Sequence, residues 1–110
     1  MEHSSFVRVL GDTPVIRVLD YLLEVREIDC SLTDIARGSE IAWSTLHLLW
    51  PSILKEKLVK KTRTIGRATM YKLNTDSPVV KKLLELDHVI TNQYVDEELR
   101  RQKAKKVLVH

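Results

Sequence analysis

The sequence has one cysteine, Cys30. A single thiol cannot close an internal disulfide, which suits a reducing compartment and predicts a cytoplasmic protein. No apolar run approaches the length of a membrane span. The first ten residues carry Glu2 and hold no long apolar core, so they do not read as a signal peptide. No glycine-rich phosphate loop, internal repeat or low-complexity linker is present. Cys30 and the four histidines (His3, His47, His88 and His110) match no known metal-ligand spacing, and there is no cysteine pair. Cys30 reads instead as a small buried apolar residue. Ser44, His47 and Asp34 make no credible catalytic triad, because no oxyanion-type loop lies near them. These absences argue against an enzyme, a metal site and a bound cofactor.

The chain of 110 residues fits one domain with a modest core, and its 44 % apolar content is that of a folded protein. Its net charge of +3 is weak evidence for an anionic partner. The layout of that charge says more. Residues 1–41 carry four arginines against eight acids, a net −4. Residues 55–72 carry seven cations against Glu56 alone, a net +6. Residues 76–99 return to −4, and residues 100–110 add +5. Positive charge is thus focused in one central block and one tail.

Periodicity and caps predict the elements. Residues 1–11 give no clear assignment, although Phe6, Val7, Val9 and Leu10 are apolar. Thr13-Pro14 opens a helix that runs to about Arg26, with Val15, Val18, Leu19, Leu22 and Leu23 at helical spacing. A very short strand is expected at 28–30. Ser31 and Asp34 form a capping box for a short helix ending near Gly38. A second helix spans about 43–56, with Leu46, Leu49 or Trp50, and Ile53 inward. Pro51 lies inside it and is expected to kink it. Two strands, 58–63 and 68–73, flank a turn at 64–67 in which Gly66 supplies a positive φ. Ser77-Pro78 then starts a helix to roughly Arg101. Two short helices followed by a basic hairpin are the sharpest signal in the sequence.

The run Leu32-Thr33-Asp34-Ile35-Ala36-Arg37, with Ile41, Ser44-Thr45-Leu46, Ile53 and Leu58-Val59, resembles the helix-turn-helix of the MarR and ArsR type of winged regulators. Residues 58–63, Gly66-Arg67 and Tyr71-Lys72-Leu73 resemble their wing. The likeness covers residues 12–75 and is greatest to the small archaeal members. It implies a mainly α fold with a small β-hairpin, a winged helix-turn-helix with a long C-terminal helix. It also implies a homodimer that binds double-stranded DNA and regulates transcription. The helix at 43–56 would enter the major groove, and the wing near 63–67 would touch backbone or minor groove. Three positions depart from the pattern. Glu40 stands where glycine is common in the turn, Ala42 where Ser or Thr caps, and Pro51 inside the recognition helix. That helix also lacks Arg, Asn and Gln on its early turns, which counts against direct base readout.

Candidate DNA contacts are Trp43, Ser44, Thr45 and His47 early on the recognition helix, Lys55 at its end, and Lys60, Lys61, Arg63 and Arg67 on the hairpin. Trp50 reads as a core aromatic; for Trp43 core and base contact both stay open. A stripe of Val79, Leu83, Leu86, Ile90 and Tyr94 on the last helix is the candidate dimer interface, being wider than one small domain needs. The chain then divides into a DNA-binding domain at 1–75, with an N-terminal arm, and a dimerisation helix with a basic tail at 76–110. The alternative is a winged helix used as a protein–protein interaction module.

Overall fold

Local signals set most of the element boundaries. In the computed structural model, which describes residues 4–109, the chain forms α1 (Ser5–Leu10), α2 (Pro14–Val25), α3 (Leu32–Ser39), α4 (Trp43–Lys55), β1 (Val59–Ile65), β2 (Ala68–Leu73) and α5 (Pro78–Val109). Thr13 caps α2 by accepting from the Ile16 amide at 3.4 Å. The capping box of α3 is complete. The Asp34 amide donates to Ser31 Oγ at 3.2 Å, and the Ser31 amide donates to Asp34 Oδ2 at 3.1 Å. Ser77 Oγ likewise accepts from the Val80 amide at 3.3 Å and opens α5. Ala42 gives α4 no side-chain cap, and α4 continues as one helix through Pro51.

The arm before α2, which gave no clear reading, folds as α1. Its adjacent Phe6 and Val7 are buried, and it packs on α5 and α2. Phe6 joins Val18, Leu22, Leu23, Ile35, Leu46, Leu73 and Val80 at the centre of the core. Trp50 is buried as expected and meets the Tyr71 ring edge-on, with centroids 5.0 Å apart. Val15, expected among the inward residues of α2, is exposed.

The strand expected at 28–30 shrinks to one bridge. Cys30 and Tyr71 exchange backbone hydrogen bonds of 2.7 and 2.8 Å, tying the α2–α3 loop to β2. Cys30 is buried, and its sulfur lies 3.9 Å from the Tyr21 hydroxyl. Burial pushes the Cys30 thiol above its ordinary pKa. Burial, aided by the contact with that sulfur, also pushes the Tyr21 hydroxyl up to about 12. A thiol reagent at about pH 8 should therefore label native Cys30 far more slowly than the same chain in denaturant, because only the accessible thiolate reacts. Equal rates in the two states would show that Cys30 is not shielded.

β1 and β2 pair antiparallel through a tight turn at Gly66-Arg67, where Gly66 adopts φ 59°. β1 runs on to Ile65, two residues past its expected end. A bulge between Lys61 and Arg63 leaves Thr62 without a partner in the ladder. At the base of the hairpin, Asn74 Nδ2 donates to the Lys57 carbonyl at 2.8 Å, and its amide donates to the Leu58 carbonyl at 2.9 Å. The two ends of the hairpin are pinned together there.

α5 corrects two expectations. It has 32 residues and does not stop near Arg101, so the basic cluster of Arg100, Arg101, Lys103, Lys105 and Lys106 lies on the helix and not on a separate tail. The apolar stripe also divides. Ile90 is only 5 % exposed and belongs to the chain's own core, and Leu83 packs half-buried against that core. The physical reason is the arm: α1 lies on α5 and brings Phe6 into the core that takes up Ile90. Val79, Leu86 and Tyr94 stay exposed, with Arg8 over the Tyr94 ring at 5.9 Å. From 91 to 106 every residue is exposed. The longest dimension of the chain, 61 Å against 28 and 23 Å, reflects this projecting rod.

Candidate nucleic-acid interface

The interface starts at the turn between α3 and α4. Glu40 ends α3 at φ 57° and ψ 44°, the left-handed region that favours glycine. For a glutamate this conformation is strained. It is held by Arg17 of α2, whose Nη1 donates to the Glu40 carbonyl at 3.0 Å while Nη2 donates to Asp12 at 3.0 Å. The Ile41 amide reaches back to the Ala36 carbonyl at 3.1 Å and finishes the turn.

This turn presents the outer face of α4. Trp43 is 53 % exposed and so is not a core aromatic, and its ring lies against His47 with centroids 3.8 Å apart. Ser44 and His47 are exposed, whereas Thr45 is half-buried. Lys55 is exposed at the end of the helix. One residue on this face escaped the sequence reading. Leu48, on the side of α4 away from Leu46, Trp50 and Ile53, is 82 % exposed. The signal was available, since those three inward positions put residue 48 outward on a 3.6-residue period.

The hairpin lies beside this face. An open groove of about 440 Å³ is lined by Leu32 and Thr33 of α3, Trp43 and His47 of α4, and Arg67 and Tyr71 of the hairpin. Lys60, Lys61, Arg63 and Arg67 are all exposed, as is Lys55, but their electrostatic settings differ. Arg63 Nε donates to Asp29 at 2.8 Å, and the Thr62 hydroxyl donates to the same carboxylate at 2.9 Å. Consecutive residues of a regular strand point to opposite faces. The bulge at Thr62 allows both to converge on Asp29. These bonds, that from Arg63 foremost, hold the Asp29 carboxyl below the usual range. Lys60 pairs with Asp76 and lowers that carboxyl in the same way. Among the described residues, Lys55, Lys61 and Arg67 have no ion-pair partner. The sequence-predicted cations are therefore all exposed but not in one electrostatic state.

Among the described residues, no three His, Cys, Asp or Glu side chains gather as a metal ion would need, and no helix is long and apolar enough to cross a membrane. Glu2, His3 and His110 lie outside the described residues.

No family model and no curated protein matches this chain. Solved structures do. MepR, a transcription regulator of the Staphylococcus aureus multidrug efflux pump MepA, superposes with a TM-score of 0.58 at 20 % identity, over 84 % of this chain and 72 % of MepR. The adhesin competence repressor AdcR of Streptococcus pyogenes gives 0.60 at 17 % identity, over 84 % and 71 %. A MepR mutant from S. aureus bound to an oligodeoxyribonucleotide gives 0.64 at 17 % identity, over 96 % and 81 %. The fold is a winged helix-turn-helix. In its terms α3 and α4 are the helix-turn-helix, β1 and β2 are the wing, and α5 is the long C-terminal helix of the winged helix.

Proposed function

We propose that this winged helix is a cytoplasmic, DNA-binding transcription regulator that acts as a homodimer. The observation that carries the reading is the wing. Residues 55–72, net +6, run from the end of α4 through the hairpin beside its exposed face, with Lys55, Lys61 and Arg67 free of ion pairs among the described residues. Phosphate neutralisation is what such a surface does best. On this reading α4 enters the major groove and the wing lies on backbone or minor groove. Residues 1–75 bind DNA, and 76–110 pair two copies. The DNA-bound MepR mutant of similar fold supports it.

The test is the salt dependence of binding to duplex DNA. If a dimer neutralises roughly 6–8 phosphates, log K should fall with log salt at a slope of about −5 to −7. Arg67→Ala should weaken binding to every sequence and flatten that slope. Arg63→Ala should do less, because Arg63 is already paired with Asp29. Changes at Ser44 or His47 should instead alter preference between sequences, by about 1–3 kcal/mol for each hydrogen bond to a base edge that is removed.

A second reading, a protein–protein interaction module, is favoured by the exposure of Leu48 and Trp43. A salt slope near zero, or no binding at low salt, selects it.

A further inference from the structure

The recognition helix is poor in the side chains that read base edges by bidentate hydrogen bonds. It has no Arg, Asn or Gln. Its outward strip is Ser44, Leu48, Pro51, Ser52 and Lys55, all exposed and spaced so that they share one face. Leu48 stands in the middle of that strip at 82 % exposure, more open than any other large apolar residue described. From this geometry we infer that Leu48 reads thymine, by packing its branched end on the C5-methyl group in the major groove. The inference rests on the DNA-binding reading above and names what α4 recognises there.

Three observations converge on that occupant. First, the surroundings are charge-complementary to a nucleic acid. Lys55 lies on the same strip, and Lys61 and Arg67 stand on the adjoining wing, all without ion pairs among the described residues. Second, the apolar part of the strip is small. Protein docking patches run to a few hundred Å², whereas the strip exposes only Leu48 and Pro51, with the hydroxyls of Ser44 and Ser52 on either side. A leucine end of that extent matches one methyl group beside hydrogen-bonding base edges. Third, the thymine methyl is the one major-groove feature that is read by apolar contact. Adenine is read bidentately by Asn or Gln, which α4 lacks, and the one cation of the strip, Lys55, stands two turns beyond Leu48. The Trp43–His47 pair lines the groove toward the wing, which leaves Leu48 as the apolar residue in mid-strip.

The experiment uses the full chain and a duplex site selected from a random-sequence pool. Binding is measured to that site and to the same site with every thymine replaced by deoxyuridine, which removes the methyl and keeps the pairing. One buried methyl group is worth about fourfold in affinity, so a symmetric dimer with one such methyl per half-site should bind the uracil duplex about 15-fold more weakly. Leu48→Ala should bind the thymine duplex more weakly by a similar factor and show little difference between the two duplexes. Leu48 lies outside the core, so the variant keeps the fold, which circular dichroism checks. If the parent binds both duplexes equally, or if Leu48→Ala keeps the full thymine preference, the assignment of Leu48 is overturned and DNA binding stands. If the parent binds no duplex at low salt, the DNA-binding reading falls and takes this one with it.

Discussion

A chain carrying Val79→Lys and Leu86→Lys should sediment as a folded monomer at concentrations where the parent is a dimer, and should lose most of its affinity for DNA. Val79 and Leu86 are 57 % and 40 % exposed and lie seven residues apart, so both face one side of α5. With Pro78, Leu83 and the stem of Lys82 they line an open groove whose surface is mostly apolar. Val89, 60 % exposed, stands next to that face. Burying a large aliphatic side chain contributes about 1.5–3 kcal/mol, and a two-fold pairing buries each of these twice. Two lysines remove that gain and set four positive charges against one another. The fold should survive, because neither residue belongs to the core. Ile90→Lys makes the contrast, since that site is inside the chain and the variant should lose its helical signal. A monomer engages one half-site only, so DNA affinity should fall by about 10²–10⁴, the usual gain from joining two binding modules. A parent that already sediments as a monomer, or a double variant that stays dimeric, would refute pairing through this face.

Gly38→Ala should destabilise the domain by about 2–3 kcal/mol, at the upper end of overpacking. The sign is opposite to the ordinary rule, since alanine for glycine inside a helix usually stabilises by about 1 kcal/mol. Here an added Cβ would meet the Tyr21 ring, with Cε1 at 2.1 Å and Cδ1 and Cζ at 2.4 Å. The ring packs against the core, and its hydroxyl contacts the Cys30 sulfur. It cannot turn aside without opening the joint between α2 and α3. Thermal unfolding of Gly38→Ala, Tyr21→Ala and the double variant measures this. The double variant should be about 1 kcal/mol more stable than Tyr21→Ala alone, because the clash is gone and only the helix-forming gain of alanine remains. An alanine at 38 that leaves the melting temperature unchanged would mean that the ring yields freely.

What the sequence revealed follows from the range of each interaction. α2, α3 and the hairpin were legible because their signals are local: Thr13 before Pro14, the Ser31–Asp34 box, and Gly66 at positive φ. α1 was not, because six residues with an adjacent Phe6 and Val7 show no period; Ser4 and Gly11 cap its ends, but packing on α5 and α2 decides which side is buried. The same packing explains Ile90. A stripe at helical spacing says that a face will be buried, but not whether the chain or a second copy covers it. In the candidate site the cations were visible as a block of charge. Their partners were not, since Asp29 lies 34 residues from Arg63 and Asp76 lies 16 from Lys60. Leu48 is obscure in the sequence for another reason. The usual mark of base readout on a helix is a hydrogen-bonding side chain, and an outward leucine carries none.

The first turns of α5 are a clamp and the rest is an overhang. Val80, Leu83 and Ile90 hold the helix on the core, so the length that can swing is residues 91–109, about 28 Å. A bend of one degree just past Ile90 therefore carries the far end through about 0.5 Å. The same bend leaves the clamped half, and the wing root beside it, where they were. Two copies joined along the clamped part of α5 would hold the spacing of their wings steady against large play at the tips.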